Sequence, residues 1–151
     1  MNRPQTSQPT PASLTVIAWP DPVVEADGHR PGSPYVEAVW LGVLGPSTTW
    51  AWARLARIAS THPGAIIDTT DLAISLGLGA SLGTNAAISR TLGRLVAFDA
   101  ARRGPEVIAV RLALPDLAAH RLDRLSPSGR LAHQHLAHNH LAAHRWGGPA
   151  Q

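Results

Sequence analysis

Arg90 and Arg94 stand one helical turn apart in the stretch Thr84 to Phe98, whose apolar residues fall on the opposite side. At about 100° per residue, Ile88, Leu92 and Leu95 stack on one face with Val96 close by, and both arginines turn away from it. A guanidinium placed there suits guanine O6 and N7 in bidentate geometry, and Asn85, near the start of the stretch, suits adenine N6 and N7. Either side chain also takes a phosphate oxygen. Ser89 flanks the same face, and Ala86, Ala87, Gly93 and Ala97 are too small to hold a groove away from the backbone. Two arginines on the outer face of an amphipathic helix equally suit plain solvation, so the surrounding elements must decide.

Two further groups of residues have chemical potential. Arg102 and Arg103 precede Gly104-Pro105-Glu106, and Arg111 follows, an arrangement that can reach a phosphate backbone or a minor groove from a hairpin, or simply solvate a turn. The second group is His133, His135, His138, His140 and His144. His140 and His144 share one helical face at a spacing that can hold Zn²⁺ or Ni²⁺. His133 lies about 10 Å further along the axis, and no carboxylate or Cys follows Arg124 to complete a ligand set. The expectation is an exposed Ala/His-rich helix without a metal, and no cofactor. There is no phosphate-binding glycine loop ending in Lys and no serine elbow around Ser81-Leu82-Gly83, so an enzyme is not expected.

The elements that position the arginines follow from turn chemistry. Asp68 or Thr69 caps a short helix, Asp71 to Leu76, with Asp71 complementing its dipole. Gly77-Leu78-Gly79 forms a turn with Leu78 as its apolar plug, and Gly77 to Gly83 is longer than the tightest helix-turn-helix connection. The long helix from Thr84 to Phe98 comes next. Val107 to Leu114 then reads as the return strand of a hairpin with the Gly-Pro turn at its tip. Helix, glycine turn, helix and basic hairpin in that order resemble a winged helix-turn-helix domain. Ala65-Ile66-Ile67 is then the short strand that completes the sheet. The strings Tyr35-Val36-Glu37, Trp40-Leu41, Val43-Leu44-Gly45-Pro46 and Thr91-Leu92-Gly93-Arg94-Leu95-Val96 are similar to short winged-helix proteins of high-GC bacteria over about residues 19 to 130. The resemblance implies a fold and favours the nucleic-acid reading of Arg90 and Arg94, without implying an activity.

Around this core, residues 1–13, rich in Pro, Thr, Ser and Gln, read as a disordered tail and not as a signal peptide. Residues 14–33 read as an extended segment and loop: Leu14 to Trp19 has strand character, Pro20-Asp21-Pro22 ends it, and Val23 to Gly32 follows as loop. Residues 34–125 form the expected winged-helix domain. Ser33 and Pro34 start a helix in which Val36, Val39, Trp40, Val43 and Leu44 make a buried stripe, ended by Gly45-Pro46. A further helix begins after Ser47 and runs through Trp50, Leu55 and Ile58 to Ser60, with Trp50 and Trp52 as packing residues. Pro115-Asp116 opens another helix. Residues 126–151 form a C-terminal His-rich helix, from Ser128 toward Trp146, and a tail. The expected class is mainly α with a small β-hairpin, a winged helix-turn-helix core with extra N- and C-terminal helices.

Composition bounds the rest. At 151 residues and 44% hydrophobic content the chain is sized for one domain with tails. No Lys is present and all 13 basic residues are Arg, which suggests a GC-rich genome. Net charge is only +3, but residues 1–83 hold four Arg against six acids, and residues 84–151 hold nine against four. The basic half begins at the proposed recognition helix, as a phosphate-facing surface requires. The absence of Cys fits a reducing cytoplasm, and no apolar run approaches a membrane span. The leading expectation is a DNA-binding protein contacting double-stranded DNA, most simply a transcriptional regulator or else a replication or partition factor of a mobile element. A protein-interaction module with the same fold is the alternative. The flanking helices suggest a homodimer by fold-level analogy, with two recognition helices about 34 Å apart.

Overall fold

A computed structural model of the chain describes residues 8–145, with side chains through residue 137. Alternation in Ser13–Ala18 (β1) turns Leu14 and Val16 to one side, where both are fully buried. Strand β1 lies inside a four-stranded sheet of order β2-β1-β4-β3. It runs antiparallel to β2 (Ala65–Asp68) and parallel to β4 (Val107–Val110), and β4 is the antiparallel partner of β3 (Ala101–Arg103). The fold is therefore mixed α/β, and "mainly α with a small β-hairpin" understates the sheet. The reason is long-range pairing: β1 finds its neighbours at Ala65 to Asp68 and Val107 to Val110, and no local pattern encodes such partners.

The helices follow their caps. Asp21 accepts a hydrogen bond from the Val24 amide and Pro22 sits in the first turn, so Pro22–Asp27 (α1) is helical where a loop was expected. Val36–Trp40 forms a π-helical turn that continues into Leu41–Leu44 (α2), and the whole stripe of Val36, Val39, Trp40, Val43 and Leu44 is buried as its spacing predicts. Gly45, at φ +83, ends that segment, and Pro46 opens Pro46–Thr61 (α3). Helix α3 lays Ala51, Trp52, Leu55, Ala56 and Ala59 into the core, and the Trp52 indole N–H donates to the Arg111 carbonyl at 2.8 Å. Trp50 departs from expectation. It projects to solvent at 69% exposure, because a residue two steps from Trp52 on a helix lies on the far side.

Asp68 caps Thr69–Ser75 (α4) by accepting from the Asp71 amide at 2.8 Å. The connection then turns through Gly77 and Gly79, both at positive φ, and reaches Ala87–Ala97 (α5), which starts three residues later than the sequence suggests. Ile88, Leu92 and Leu95 are fully buried. The order helix, strand, helix, helix, hairpin thus runs as α3, β2, α4, α5, β3 and β4. The strand expected to complete the sheet is present as β2, but β1 stands between it and the hairpin.

The expected segment boundaries are crossed by hydrogen bonds. Of residues 1–13, expected as a disordered tail, 1–7 lie outside the described residues, while 8–12 form a strap leading into β1: the Thr10 amide donates to Leu82 O, Thr10 and Ser89 hydroxyls meet at 2.8 Å, and the Thr69 amide and hydroxyl donate to Ala12 O and Pro11 O. Residues 14–33, set apart as a lead-in, supply β1 and a two-way backbone bridge between His29 and Leu114. At Gly28 an added Cβ would lie 2.3 Å from Val24 O and 2.8 Å from Leu114 O, so the chain can pass here only without a side chain. After Val110 the strand gives way to this bridge, and Ala119–Arg124 forms a 3₁₀ turn in place of a regular helix from Pro115. Pro127–Arg145 (α6) closes the described chain. Among the described residues no helix is long and apolar enough to cross a membrane.

Candidate nucleic-acid interface

The seven residues singled out for contact separate into distinct environments. Asn85 and Arg90 are exposed, and the Arg90 side chain makes no hydrogen bond or ion pair with any described residue. Ser89 does not join them. It is fully buried, its hydroxyl held by Thr10 at 2.8 Å and by Leu82 O at 3.3 Å. The error is angular: Ser89 sits next to Ile88 on the helix, and the strap closes over that flank.

Arg94 has a partly structural role. Its Nε donates to Leu44 O at 2.9 Å and its Nη2 to Val43 O at 2.7 Å. These carbonyls end α2, where the backbone has no helical partner of its own and the dipole favours a cation. The guanidinium also lies 5.2 Å from the Phe98 ring centroid. Arg94 therefore clamps α5 to α2 and keeps only its remaining N–H groups for a ligand.

The hairpin forms with the predicted Gly104-Pro105 tip, the Gly104 amide donating to Val107 O. Its arginines are engaged within the fold. Arg102 and Arg111 each place a guanidinium 3.8 Å from a Trp19 ring centroid, so both cations are engaged by the same indole. Arg111 also donates to Asp99 O and pairs with Asp21 Oδ2 at 2.7 Å. The Arg111 hydrogen bond, aided by the Val24 amide, holds the Asp21 carboxyl below its ordinary range. Arg103 donates from Nη2 to Pro9 O, its Nε is buried without a partner, and desolvation lowers its pKa. Of the three, Arg102 retains the most solvent exposure.

Metal ligation at His140 and His144 concerns side chains outside the described residues. Among the described residues no group of three His, Cys, Asp or Glu is placed to hold an ion. His133 is instead a packing partner, its Nδ1 2.7 Å from the Tyr35 hydroxyl. Tyr35 stacks on His29 at 3.9 Å, and His29 Nε2 meets Asp116 at 2.7 Å.

No family model, curated protein or solved structure matches this chain. Its site is thus defined by its own geometry.

Two features of that geometry escaped the sequence reading. Trp50 is the shared wall of two adjoining grooves of about 370 and 350 Å³. Arg30 and Arg57 line one, and Val36, Leu41 and Glu37 line the other. The second feature is a smaller cleft of about 180 Å³ beside Arg90, where α5 meets the start of α3 and Leu78 of the glycine turn. Pro46 at the first position of α3 was a legible signal for a helix start. Its closeness to Arg90 is a tertiary fact.

Proposed function

We propose that the chain binds double-stranded DNA through the outer face of α5, as a winged helix-turn-helix protein that acts by binding and not by catalysis, most simply as a transcriptional regulator. The observation that carries this reading is Arg90: exposed, unpaired within the described chain, and mounted on a helix whose opposite face is locked by Ile88, Leu92 and Leu95. A rigid mount with a free guanidinium supplies the charge-assisted, bidentate contact that phosphates and guanine edges accept. Asn85 stands exposed just before the same helix, and the excess of Arg in residues 84–151 adds a favourable field. Ser89 has no part in the proposal, and Arg94, Arg103 and Arg111 contribute at most through donors their internal partners leave over. Leu131, exposed at 67% on α6, offers an apolar contact for the proposed homodimer.

The test is fluorescence-anisotropy binding to a random-sequence duplex across a salt series, with wild type beside Arg90→Ala. The expected result is affinity that falls steeply with salt in the wild type, with a weaker variant whose salt slope is smaller by about one. Absence of binding at low salt overturns the reading. The second reading, a protein-interaction module, is favoured by exposed Trp50 between its two grooves, since an aromatic beside a concave apolar surface suits a protein partner. A folded, DNA-indifferent protein whose association with a partner is lost on Trp50→Ala would establish it.

A further inference from the structure

The cleft beside Arg90 is built from donors and lacks acceptor side chains that bear charge. Ser47 and Thr48 belong to the first turn of α3, whose cap residue Gly45 has no side chain to satisfy the free amides there. Those amides have no carbonyl one turn back, and the dipole of a 16-residue helix places partial positive charge at the same point. Arg90, Thr91 and Arg94 face them from α5, and no carboxylate lines the cleft.

The independent observation concerns the two threonines. Thr48 and Thr91 are only 3% and 6% exposed, yet neither side chain hydrogen-bonds to any described residue. Nor are the hydroxyls sealed off, because among the described side chains the sealed polar atom without a partner is Arg103 Nε. The little solvent access these two residues keep therefore includes their hydroxyls, and two hydroxyls without a protein partner on facing helices, both lining one cleft, mark a place where a ligand can supply acceptors.

We infer that this cleft takes a phosphate group. A tetrahedral phosphate presents several acceptor oxygens at once, which match the hydroxyls of Ser47, Thr48 and Thr91, the α3 amides and the Arg90 guanidinium. The Arg94 donors not committed to Val43 O and Leu44 O complete the shell. The inference rests on the DNA reading only for the source of the phosphate: a backbone phosphate if that reading holds, a free phosphorylated ligand if it does not.

The experiment is an amide NMR titration of the full chain with inorganic phosphate against chloride at matched ionic strength, repeated with a short duplex. Wild type is compared with Thr48→Val and Thr91→Val, which keep side-chain shape and remove only a hydroxyl. The expected result is saturable shifts centred on Ser47, Thr48 and Thr91, with phosphate affinity about tenfold weaker in each folded variant. Parallel weakening of duplex binding assigns the phosphate to DNA. Phosphate bound with no duplex binding keeps the site and removes the DNA reading. Duplex binding with unaltered variants and no saturable phosphate shift removes the site and keeps the DNA reading. Weak shifts spread over every arginine, an adventitious ion only, overturn the inference.

Discussion

The Tyr35 hydroxyl stands 2.7 Å from His133 Nδ1, joining the residue just before the π-helical turn to the C-terminal helix. The same oxygen accepts from the Leu117 amide at 2.8 Å, while the tautomer of His133 sets which partner donates in the other bond. One hydroxyl thereby fixes three segments far apart in the chain.

Replacing Tyr35 with Phe removes both bonds and leaves the Leu117 amide buried without an acceptor. The expected cost is about 1–3 kcal/mol in urea unfolding, together with faster amide exchange in α6. Unchanged stability and unchanged exchange in α6 would show that the bond does not hold the helix.

Tyr35 is the sole tyrosine of the chain, so phenolate absorbance reports on it alone. Burial pushes its pKa from 10.0 up to about 12, the Asp116 charge adds to the rise and the Leu117 hydrogen bond opposes it. A raised folded-state pKa means that this stabilisation is intact below the unfolded value near 10 and is lost as pH rises toward about 12. Phenolate signal should therefore emerge late and together with unfolding. Titration at the ordinary value in a folded chain would contradict the burial.

Arg90 and Arg94 should separate in their effects. Arg94→Ala exposes two carbonyls at the end of α2 and is expected to cost about 1 kcal/mol, the exposed position reducing the value of charged hydrogen bonds. Arg90→Ala should leave stability within about 0.5 kcal/mol of wild type while weakening DNA and phosphate binding. Chemical denaturation of both variants checks this, and equal stability losses would refute the division of roles.

Gly28→Ala forces a Cβ into two backbone carbonyls, at Val24 and Leu114. A loss of about 1–3 kcal/mol is expected, with amide exchange speeding up at His29 and Leu114. A neutral substitution would mean that the α1 end and the bridge are looser than the contacts imply.

Local signals in the sequence are legible where local physics sets the outcome. The stripe from Val36 to Leu44, the Ile88, Leu92 and Leu95 face, a cap at Asp68 or Thr69, and the Gly104-Pro105 tip all follow from helical period, side-chain capping and turn chemistry within a few residues, the structure selecting Asp68. What tertiary structure alone decided was the company each side chain keeps. Leu14 to Ala18 shows strand character by itself, but its place between β2 and β4 depends on residues far along the chain. Ser89 and Arg90 are neighbours in sequence, yet Ser89 is buried and held by Thr10 of the strap and by Leu82 O, while the Arg90 side chain stays free. Trp50 and Trp52 are alike as residues, and the helix's rotation against the sheet puts one outside and one in the core. Periodicity encodes which face of an element is apolar. It carries no information on which distant carbonyl, ring or carboxylate meets a given arginine, and that pairing determines whether its charge serves the fold or remains available to a ligand.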